Sequence, residues 1–329
     1  MFLSILLIIV GLIILIAGAE GLVRGASSMA AKLRISPLII GLTVVSFGTS
    51  APELTVNLVS AMQGSSDLAL SNVIGSNIAN ILLILGVSAI IVPLTVKSST
   101  VWKEIPLALL GVFLVFVMVN DALFDGVGFN ALTRTDGILL LSLMAIFMYY
   151  IFGMAKRDRS GKRLDEGAPA DEAENIKEYN LWVSIGMTIG GLVGLVVGGR
   201  WLVQGATDIA TAAGLSEALI GLTIVAIGTS LPELATSVVA ALKKQADIAI
   251  GNVVGSNIFN IFFVLATTST ILPLPVSPTL STDILVALGA TLLLFIFMFV
   301  RKKHHLTRFE GIAFVALYLM YMVYLIMRG

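Results

Sequence analysis

An apolar stretch that ends in a proline and a carboxylate occurs twice in this chain, and the repeat limits what the chain can fold into. The first copy runs from Gly41 to Leu54 and the second from Gly221 to Leu234, an offset of 180 positions. Both contain Gly-Thr-Ser, one variable residue and then Pro-Glu, which places Glu53 and Glu233 at matching positions. A carboxylate inside an apolar segment is costly in a membrane and indicates a functional site.

The composition places the chain in a membrane. Of its 329 residues 57% are hydrophobic and 12% are charged, with a mean hydropathy of +1.02, whereas about a quarter of an ordinary soluble domain is charged. The 20 basic and 20 acidic residues balance, so there is no electrostatic case for nucleic acid. The absence of cysteine excludes disulfides, thiolate metal sites and cysteine nucleophiles. The amino terminus lacks the basic region of a cleaved signal, so we interpret it as the first spanning helix, retained.

The apolar segments predict an all-α membrane protein with about ten spanning helices, each of ~20 residues. Their centres are expected near residues 12, 48, 82, 111, 145, 193, 229, 262, 291 and 318. A polar stretch from Lys156 to Tyr179 is interpreted as a solvated loop. This gives three parts: a first five-helix repeat (1–154), a polar loop (155–180) and a second five-helix repeat (181–329).

Basic residues collect in alternate connections, which predicts the orientation. Lys32, Lys97, the central loop, Lys243 and Arg301 all fall on one side, which the positive-inside rule makes cytoplasmic. Both termini are then outside, and the second repeat enters the membrane from the opposite face to the first. Inverted repeats with broken helices at the midplane are a construction of secondary transporters.

A second phrase repeats at the same offset and adds polar side chains. The segment 72–80 returns as 252–260, and in each copy Asn, Ser and Asn are spaced by four residues, which puts them on one helical face. These residues are Asn72, Ser76 and Asn80, with Asn252, Ser256 and Asn260. Gly75 and Gly255 are expected to allow close approach of another helix backbone.

Together the phrases supply hard oxygen donors. Pro52 and Pro232 lack an amide hydrogen, so the carbonyls of Gly48 and Gly228, with neighbours at Ser46 and Ala226, are expected to be free. The hydroxyls of the two Gly-Thr-Ser pieces and the two carboxylates join them: Thr49, Ser50, Thr229, Ser230, Glu53 and Glu233. Such donors suit calcium and sodium, and no histidine, cysteine or methionine beside them suggests a softer metal.

Several readings of these phrases remain open. Each Gly-Thr-Ser or Gly-Ser-Asn piece alone fits helix packing, and Glu53 alone fits a protonated, hydrogen-bonded carboxyl. The return of both carboxylates favours a cation site, because two carboxylates in a low-dielectric site repel until a divalent ion, several monovalent ions or a proton neutralises them. Such competition defines an exchanger. A cation channel fits less well because the halves are inverted, and an enzyme lacks a nucleophile–base pair.

Other polar residues carry simpler interpretations. Glu20 and Arg24 are expected to pair on the first helix, while Arg200, 180 positions after Glu20, has an unexplained opposite charge. Asp67 and Asp247 are interpreted as helix caps. The remaining features are read as orientation charges and as helix packing: His304, His305 and the glycine-rich run 190–199.

The two repeats resemble the α-repeats of the cation/calcium exchanger superfamily, within it the prokaryotic sodium/calcium exchangers. The resemblance implies ten helices and exchange of several Na⁺ for one Ca²⁺, with the ions and the bilayer as partners and no cofactor. It makes Glu53, Glu233, Thr49 and Thr229 calcium ligands. It implies that the sodium sites use the two glutamates together with Ser46, Ser50, Ser76, Asn80, Ala226, Ser230, Ser256 and Asn260. Some relatives have aspartate at Asn260, and the proton-coupled branch is expected to read Gly-Asn-Ala-x-Glu, so this chain favours Na⁺ over H⁺ as the counter-ion.

Overall fold

A computed structural model describes residues 2–124, 126, 129–160, 178–213, 226–277 and 280–328. The side chain of Ala226 and the segment Gly221 to Val225 of the second repeated stretch lie outside this description. The helices are α1 (Phe2–Leu33), α2 (Pro37–Thr49), α3 (Ala51–Met62), α4 (Ser66–Ile91), α5 (Thr100–Met118), α6 (Asp121–Phe124), α7 (Arg134–Arg159), α8 (Leu181–Ala212), α9 (Ala226–Gly228), α10 (Leu231–Leu242), α11 (Ala246–Ile271), α12 (Leu280–Phe297) and α13 (Arg308–Arg328). The strands are β1 (Leu94–Thr95), β2 (Ala131–Leu132), β3 (Leu274–Pro275) and β4 (His305–Leu306).

The chain is an all-α membrane protein. In its described part eight helices are long and apolar enough to cross a membrane, and the bent pair α2 and α3 makes a ninth candidate. These nine agree with nine of the predicted centres. The region predicted to hold the tenth, near residue 229, is described only from Ala226 onward.

The two helices that carry the Asn-Ser-Asn pattern lie at the centre of the molecule. In the most apolar stretches of α11 and α4, 94% and 72% of the residues are buried, against 22% in α7 and α13. The buried polar side chains of these central helices therefore face other protein segments rather than lipid.

Helices α1 and α8 form a tight antiparallel pair. Glycines recur every seventh residue along one face of each helix, at Gly11, Gly18 and Gly25 and, 180 positions later, at Gly191, Gly198 and Gly205. A Cβ added at any of the six would lie 2.4–2.8 Å from backbone atoms of the opposite helix. Backbones at this separation require glycine. The glycine-rich run in 190–199 therefore serves helix packing, as predicted.

Short cross-connections join the first part of the chain to the last. Strand β1 pairs antiparallel with β4, and β2 pairs with β3. Leu94 of β1 and Leu274 of β3 are 180 positions apart, so the two strands are equivalent in the repeat. Each of them pairs with a strand from the other half of the chain. His305 thus belongs to a strand rather than to a plain basic loop.

The two aspartates interpreted as caps have a different role. Asp67 and Asp247 lie in the first turns of α4 and α11, after N-cap residues whose side chains make no capping bond. Asp67 Oδ1 accepts from the amide of Ser277 at 3.2 Å, and Asp247 Oδ2 pairs with Lys97 Nζ at 2.5 Å. Lys97 and Ser277 are themselves 180 positions apart, so the two contacts occupy equivalent positions in the repeats, and each connects one half of the chain to the other.

Two further expectations need correction. Helix α7 continues to Arg159, so the residues from Lys156 onward are helical for one more turn than predicted. Contacts of that turn with the α1–α2 connection explain the extension: Asp158 accepts from the Ser36 amide at 2.8 Å, and Arg159 donates to the Leu33 carbonyl at 3.1 Å. Close backbone approach is found at Gly255 but, among the described residues, no atom lies within 4 Å of a Cβ at Gly75.

Candidate functional site

Both repeated stretches break at the serine before the proline. Ser50 has φ −82° and ψ 5°, and Ser230 has φ −88° and ψ 5°, so the two breaks share one backbone geometry. A new helix then begins with proline in its first turn, where a missing amide hydrogen costs nothing. Between Pro37–Thr49 and Ala51–Met62 the axis bends by 41°.

The breaks place both glutamates in first turns of helices, deep in the protein. Glu53 is the third residue of α3 and Glu233 is the third residue of α10, and each is only 1% exposed. The partial positive charge of a helix N-terminus favours a carboxylate there. Ser50, three residues before Glu53, donates to Glu233 Oε1 at 3.2 Å, so the two breaks meet and bring both carboxylates into one buried region.

Hydroxyl groups from both halves surround Glu233. Its Oε1 accepts from Ser50 Oγ at 3.2 Å and from Ser256 Oγ at 3.5 Å. Thr49 joins the same group, because its hydroxyl donates to Asn252 Oδ1 at 3.1 Å and lies 3.5 Å from Ser256 Oγ. Ser50 and Ser256, which are 206 positions apart in sequence, therefore meet at one carboxylate.

Around Glu53 the polar neighbours leave the carboxylate oxygens open. The hydroxyls of Thr229 and Ser76 face Glu53, but neither of its carboxylate oxygens has a hydrogen-bond partner among the described residues. Ser230 Oγ donates to Ser76 Oγ at 3.3 Å, and Asn72 Nδ2 donates to the backbone carbonyl of Glu53 at 3.4 Å. Asn252 makes the equivalent contact with the carbonyl of Glu233 at 3.3 Å.

Four buried asparagines, two from each half of the chain, form a crossed set of hydrogen bonds. Asn80 Nδ2 donates to Asn257 Oδ1 at 2.9 Å, and Asn260 Nδ2 donates to Asn77 Oδ1 at 3.1 Å. Asn77 and Asn257 also donate to each other's backbone carbonyls at 3.5 and 3.3 Å. These bonds use the amide groups of Asn80 and Asn260 as donors and leave their Oδ1 atoms available.

Six buried oxygens of the predicted site residues have no donor among the described residues. They are both carboxylate oxygens of Glu53, Glu233 Oε2, Asn80 Oδ1, Asn260 Oδ1 and Thr229 Oγ1. Buried polar atoms are nearly always paired, so unpaired oxygens in such number indicate a missing partner. Carboxylate and amide oxygens have no hydrogen to offer each other, and hard cations bind such oxygens.

Ser46 differs from the expectation for it. Its backbone carbonyl accepts the Ser50 amide at 3.0 Å, so this carbonyl is not freed by the break. Its hydroxyl instead donates to the Gly41 carbonyl at 2.6 Å and contacts the carbonyls of Gly251 and Asn252, both at 3.1 Å.

Sequence reasoning missed four buried polar residues. Asn77 and Asn257 position the amides of Asn80 and Asn260, and their recurrence at the common offset was the available signal. Asn57 and Thr236 lie one helical turn after the two glutamates, and both are fully buried. Their spacing of four and three residues from Glu53 and Glu233 places them on the same faces as the carboxylates.

The donor set contains few titratable groups. Among the described residues there is no cluster of three histidine, cysteine, aspartate or glutamate side chains. Two carboxylates and a larger number of neutral oxygens therefore define the site, which suits Na⁺ or Ca²⁺ better than a transition metal.

The fold and the site define a class before any relative is considered: a multi-pass membrane protein with a buried, oxygen-lined candidate cation site at the breaks of its helices. The sequence model of the sodium/calcium exchanger protein family matches residues 3–153 and 183–327. The chain therefore belongs to the sodium/calcium exchanger family, and it is a calcium-exchanging antiporter of the cation/calcium exchanger superfamily, as its repeats suggested.

Relatives that match nearly the full length of this chain support the same family assignment. The chain is 39% identical to the putative antiporter CaxA of Alkalimonas amylolytica, covering 94% of this chain and 95% of that one. It is 30% identical to the sodium/calcium exchanger MaX1 of Methanosarcina acetivorans, covering 97% of each. A solved structure of the sodium-calcium exchanger NCX_Mj matches with a TM-score of 0.80 at 33% identity, covering 98% of both chains.

Replacing Asn257 by alanine is expected to weaken cation binding about tenfold, because Asn80 loses the acceptor that holds its amide. Asn77→Ala should act equally through Asn260. Isothermal titration of Ca²⁺ and Na⁺ into the purified protein measures both effects. Ser142→Ala, on an exposed face of α7 where the hydroxyl bonds only its own helix at 2.8 Å, is the control. Unchanged affinities in both asparagine variants would contradict the positioning role.

Proposed function

We propose that this protein moves Ca²⁺ across the membrane in exchange for several Na⁺ by alternating access. The observation that supports it most directly is the set of six unpaired buried oxygens around two carboxylates. Calcium takes six to eight oxygen ligands. A divalent ion also neutralises both carboxylates at once, whereas monovalent ions must enter in number to do so.

The proposed calcium ligands are Glu53 and Glu233 with the backbone carbonyls of Thr49 and Thr229. The proposed sodium sites use both glutamates and a wider set: Ser46, Ser50, Ser76, Asn80, Ala226, Ser230, Ser256 and Asn260. Because each glutamate serves both ions, Na⁺ and Ca²⁺ compete, and the empty site is too highly charged to reorient easily. Exchange rather than leak follows from this competition.

The proposed architecture is ten helices in two inverted five-helix repeats, with the central loop in the cytoplasm and both termini outside. The equivalent breaks at Ser50 and Ser230 and the antiparallel glycine pairing of α1 with α8 support it. In such an arrangement the same site is presented alternately to the two faces.

Sodium is the proposed counter-ion. The relatives MaX1 and NCX_Mj are named sodium/calcium exchangers. The family resemblance implies aspartate at the position of Asn260 in some relatives, including potassium-dependent ones, so the asparagine of this chain argues against co-transport of potassium. Amide oxygens carry no proton to exchange, so the middle of the site favours a metal ion over H⁺.

Calcium uptake into proteoliposomes tests the assignment. An imposed outward Na⁺ gradient at equal pH is expected to drive uptake of radioactive Ca²⁺, and a pH gradient without Na⁺ is expected to drive none. Uptake driven by the pH gradient alone would identify a Ca²⁺/H⁺ antiporter on the same fold. Downhill Ca²⁺ flux with neither counter-ion would instead indicate a channel.

A further inference from the structure

A cavity of about 250 Å³ reaches the cation site along α8. The broken stretches form one wall with Pro52, Gly228, Thr229 and Pro232, and α8 forms the other from Val196 to Gln204. Thr229 also carries one of the unpaired buried oxygens, so this cavity and the cation site share a residue. Pro52 is half-buried and lines the cavity one residue before the buried Glu53, so the cavity offers an access path to the site.

Arg200 lies in the wall of this access path. It is an exposed residue near the middle of α8, which spans 32 residues. Arginine inside a spanning segment is rare and faces a water-filled cavity or the bundle interior, where it marks an ion pathway. A fixed positive charge beside a path for cations repels the ions that enter the path.

The pseudo-equivalent residue on α1 is Glu20, which reverses the charge. The register of the glycine pair sets Glu20 level with about Gly191, so Arg200 lies about 14 Å further along the helix axes. Basic residues next to Glu20 compensate for its negative charge. Glu20 pairs with Arg24 and, at 2.9 Å, with Lys243.

The counterparts of those two basic residues are neutral. Gln204 stands 180 positions after Arg24, and Gln63 stands 180 positions before Lys243. The group around Glu20 and the group around Arg200 therefore each carry one net positive charge. The two halves therefore carry the same net charge at equivalent places, in one half from Glu20 with two basic residues and in the other from Arg200 alone.

We propose that Arg200 lowers the affinity of the site for Ca²⁺, and less strongly for each Na⁺, by repelling cations in the access path. The inference rests on the proposed exchange of Ca²⁺ for Na⁺. The energy of electrostatic repulsion is proportional to the charge of the ion, so it is twice as large for Ca²⁺ as for Na⁺. The fold-change in affinity that a fixed charge causes for Ca²⁺ is therefore the square of the fold-change for one Na⁺. The charge keeps the two carboxylates from holding Ca²⁺ too tightly for release.

Replacing Arg200 by glutamine, the residue type found at the neutral counterparts, tests the proposal. At roughly 10 Å and an effective dielectric constant between 20 and 80, one unit charge changes monovalent affinity by about 2- to 20-fold. If the half-saturating Na⁺ concentration falls about 3-fold, Kd for Ca²⁺ is expected to fall about 9-fold. Both are measured by titration in nanodiscs at low ionic strength.

Two control variants and a salt titration test whether the effect arises from the charge of Arg200. Arg200→Lys retains the charge and should leave both affinities near those of the unmodified protein. Arg308→Gln removes an exposed charge at the start of α13, away from the cavity, and should change neither. Raising the concentration of N-methylglucamine chloride should shrink the Arg200→Gln effect, since salt screens exposed charge.

Equal fold-changes for Na⁺ and Ca²⁺, or no change in either, would overturn the proposal. Na⁺-driven Ca²⁺ uptake by the Arg200→Gln protein separates this failure from failure of the proposed function. Continued uptake with unchanged affinities would leave the exchanger assignment standing and remove only the role of Arg200. Loss of both affinities in Arg200→Gln and in Arg200→Lys alike would assign the residue to packing and would also overturn the proposal.

Discussion

Glu53→Gln and Glu233→Gln are each expected to abolish Ca²⁺ transport. Either substitution keeps the shape of the side chain and removes one of the two negative charges that a divalent ion needs. Removing one member of a buried pair of opposite charges, here a carboxylate and the bound Ca²⁺, costs about 3–5 kcal/mol. That cost corresponds to a loss of more than 100-fold in Ca²⁺ affinity. Calcium uptake into proteoliposomes and calorimetric Ca²⁺ titration measure the two consequences.

The two variants are expected to differ in how they affect the surroundings. Glu233 Oε1 already accepts from Ser50 and Ser256, and a glutamine carbonyl at that position can accept both bonds. Both carboxylate oxygens of Glu53 lack a donor in the described part of the chain, so glutamine there brings an amide group into a set of acceptors. Both variants should therefore remain folded.

Glu104→Gln is the matched control. Glu104 is a fully buried carboxylate at the start of α5, outside the site, and it accepts a hydrogen bond from Tyr150 that a glutamine carbonyl can keep. Transport at close to the unmodified rate is expected. Full Ca²⁺ transport by Glu53→Gln or by Glu233→Gln would move the cation site elsewhere in the protein.

Much of the helical arrangement could be predicted, because each spanning helix is marked by hydropathy and each break by a proline. The offset of 180 positions also indicated which residues would be equivalent. The pairs formed between the two halves could not be obtained in this way. The contacts of Asp67 with Ser277 and of Asp247 with Lys97 connect residues from opposite halves, and no local pattern encodes them.

The middle of the site shows why local periodicity was insufficient. A regular α-helix predicts that Asn80 shares a face with Ser76. In the structure π-helical turns begin at Ala79 and at Asn260, and an i→i+5 turn changes which residues share a face. Such turns depend on tertiary packing, so the crossed pairs that Asn77 and Asn257 make with Asn260 and Asn80 were not anticipated.

Gly191→Ala is expected to destabilise the protein strongly, because the added methyl group would meet the backbone of the neighbouring helix. The added Cβ would lie 2.5 Å from the amide nitrogen of Leu22 on α1 and 2.7 Å from the carbonyl of Gly18. Backbone atoms cannot rotate away as a side chain can, so α1 and α8 must separate along their shared face. Overpacking of this kind costs about 1–3 kcal/mol, and the rigid neighbours place this site at the upper end.

The neighbouring glycine provides the control within the same helical turn. No described atom lies within 4 Å of a Cβ at Gly190, so alanine there removes only the conformational freedom of glycine and should stabilise α8 by up to about 1 kcal/mol. Thermal unfolding of both purified variants, followed by size-exclusion fluorescence, should give midpoints on opposite sides of the unmodified protein. Equal midpoints would mean that α1 and α8 separate without cost, which would remove the tight glycine pairing as a source of stability.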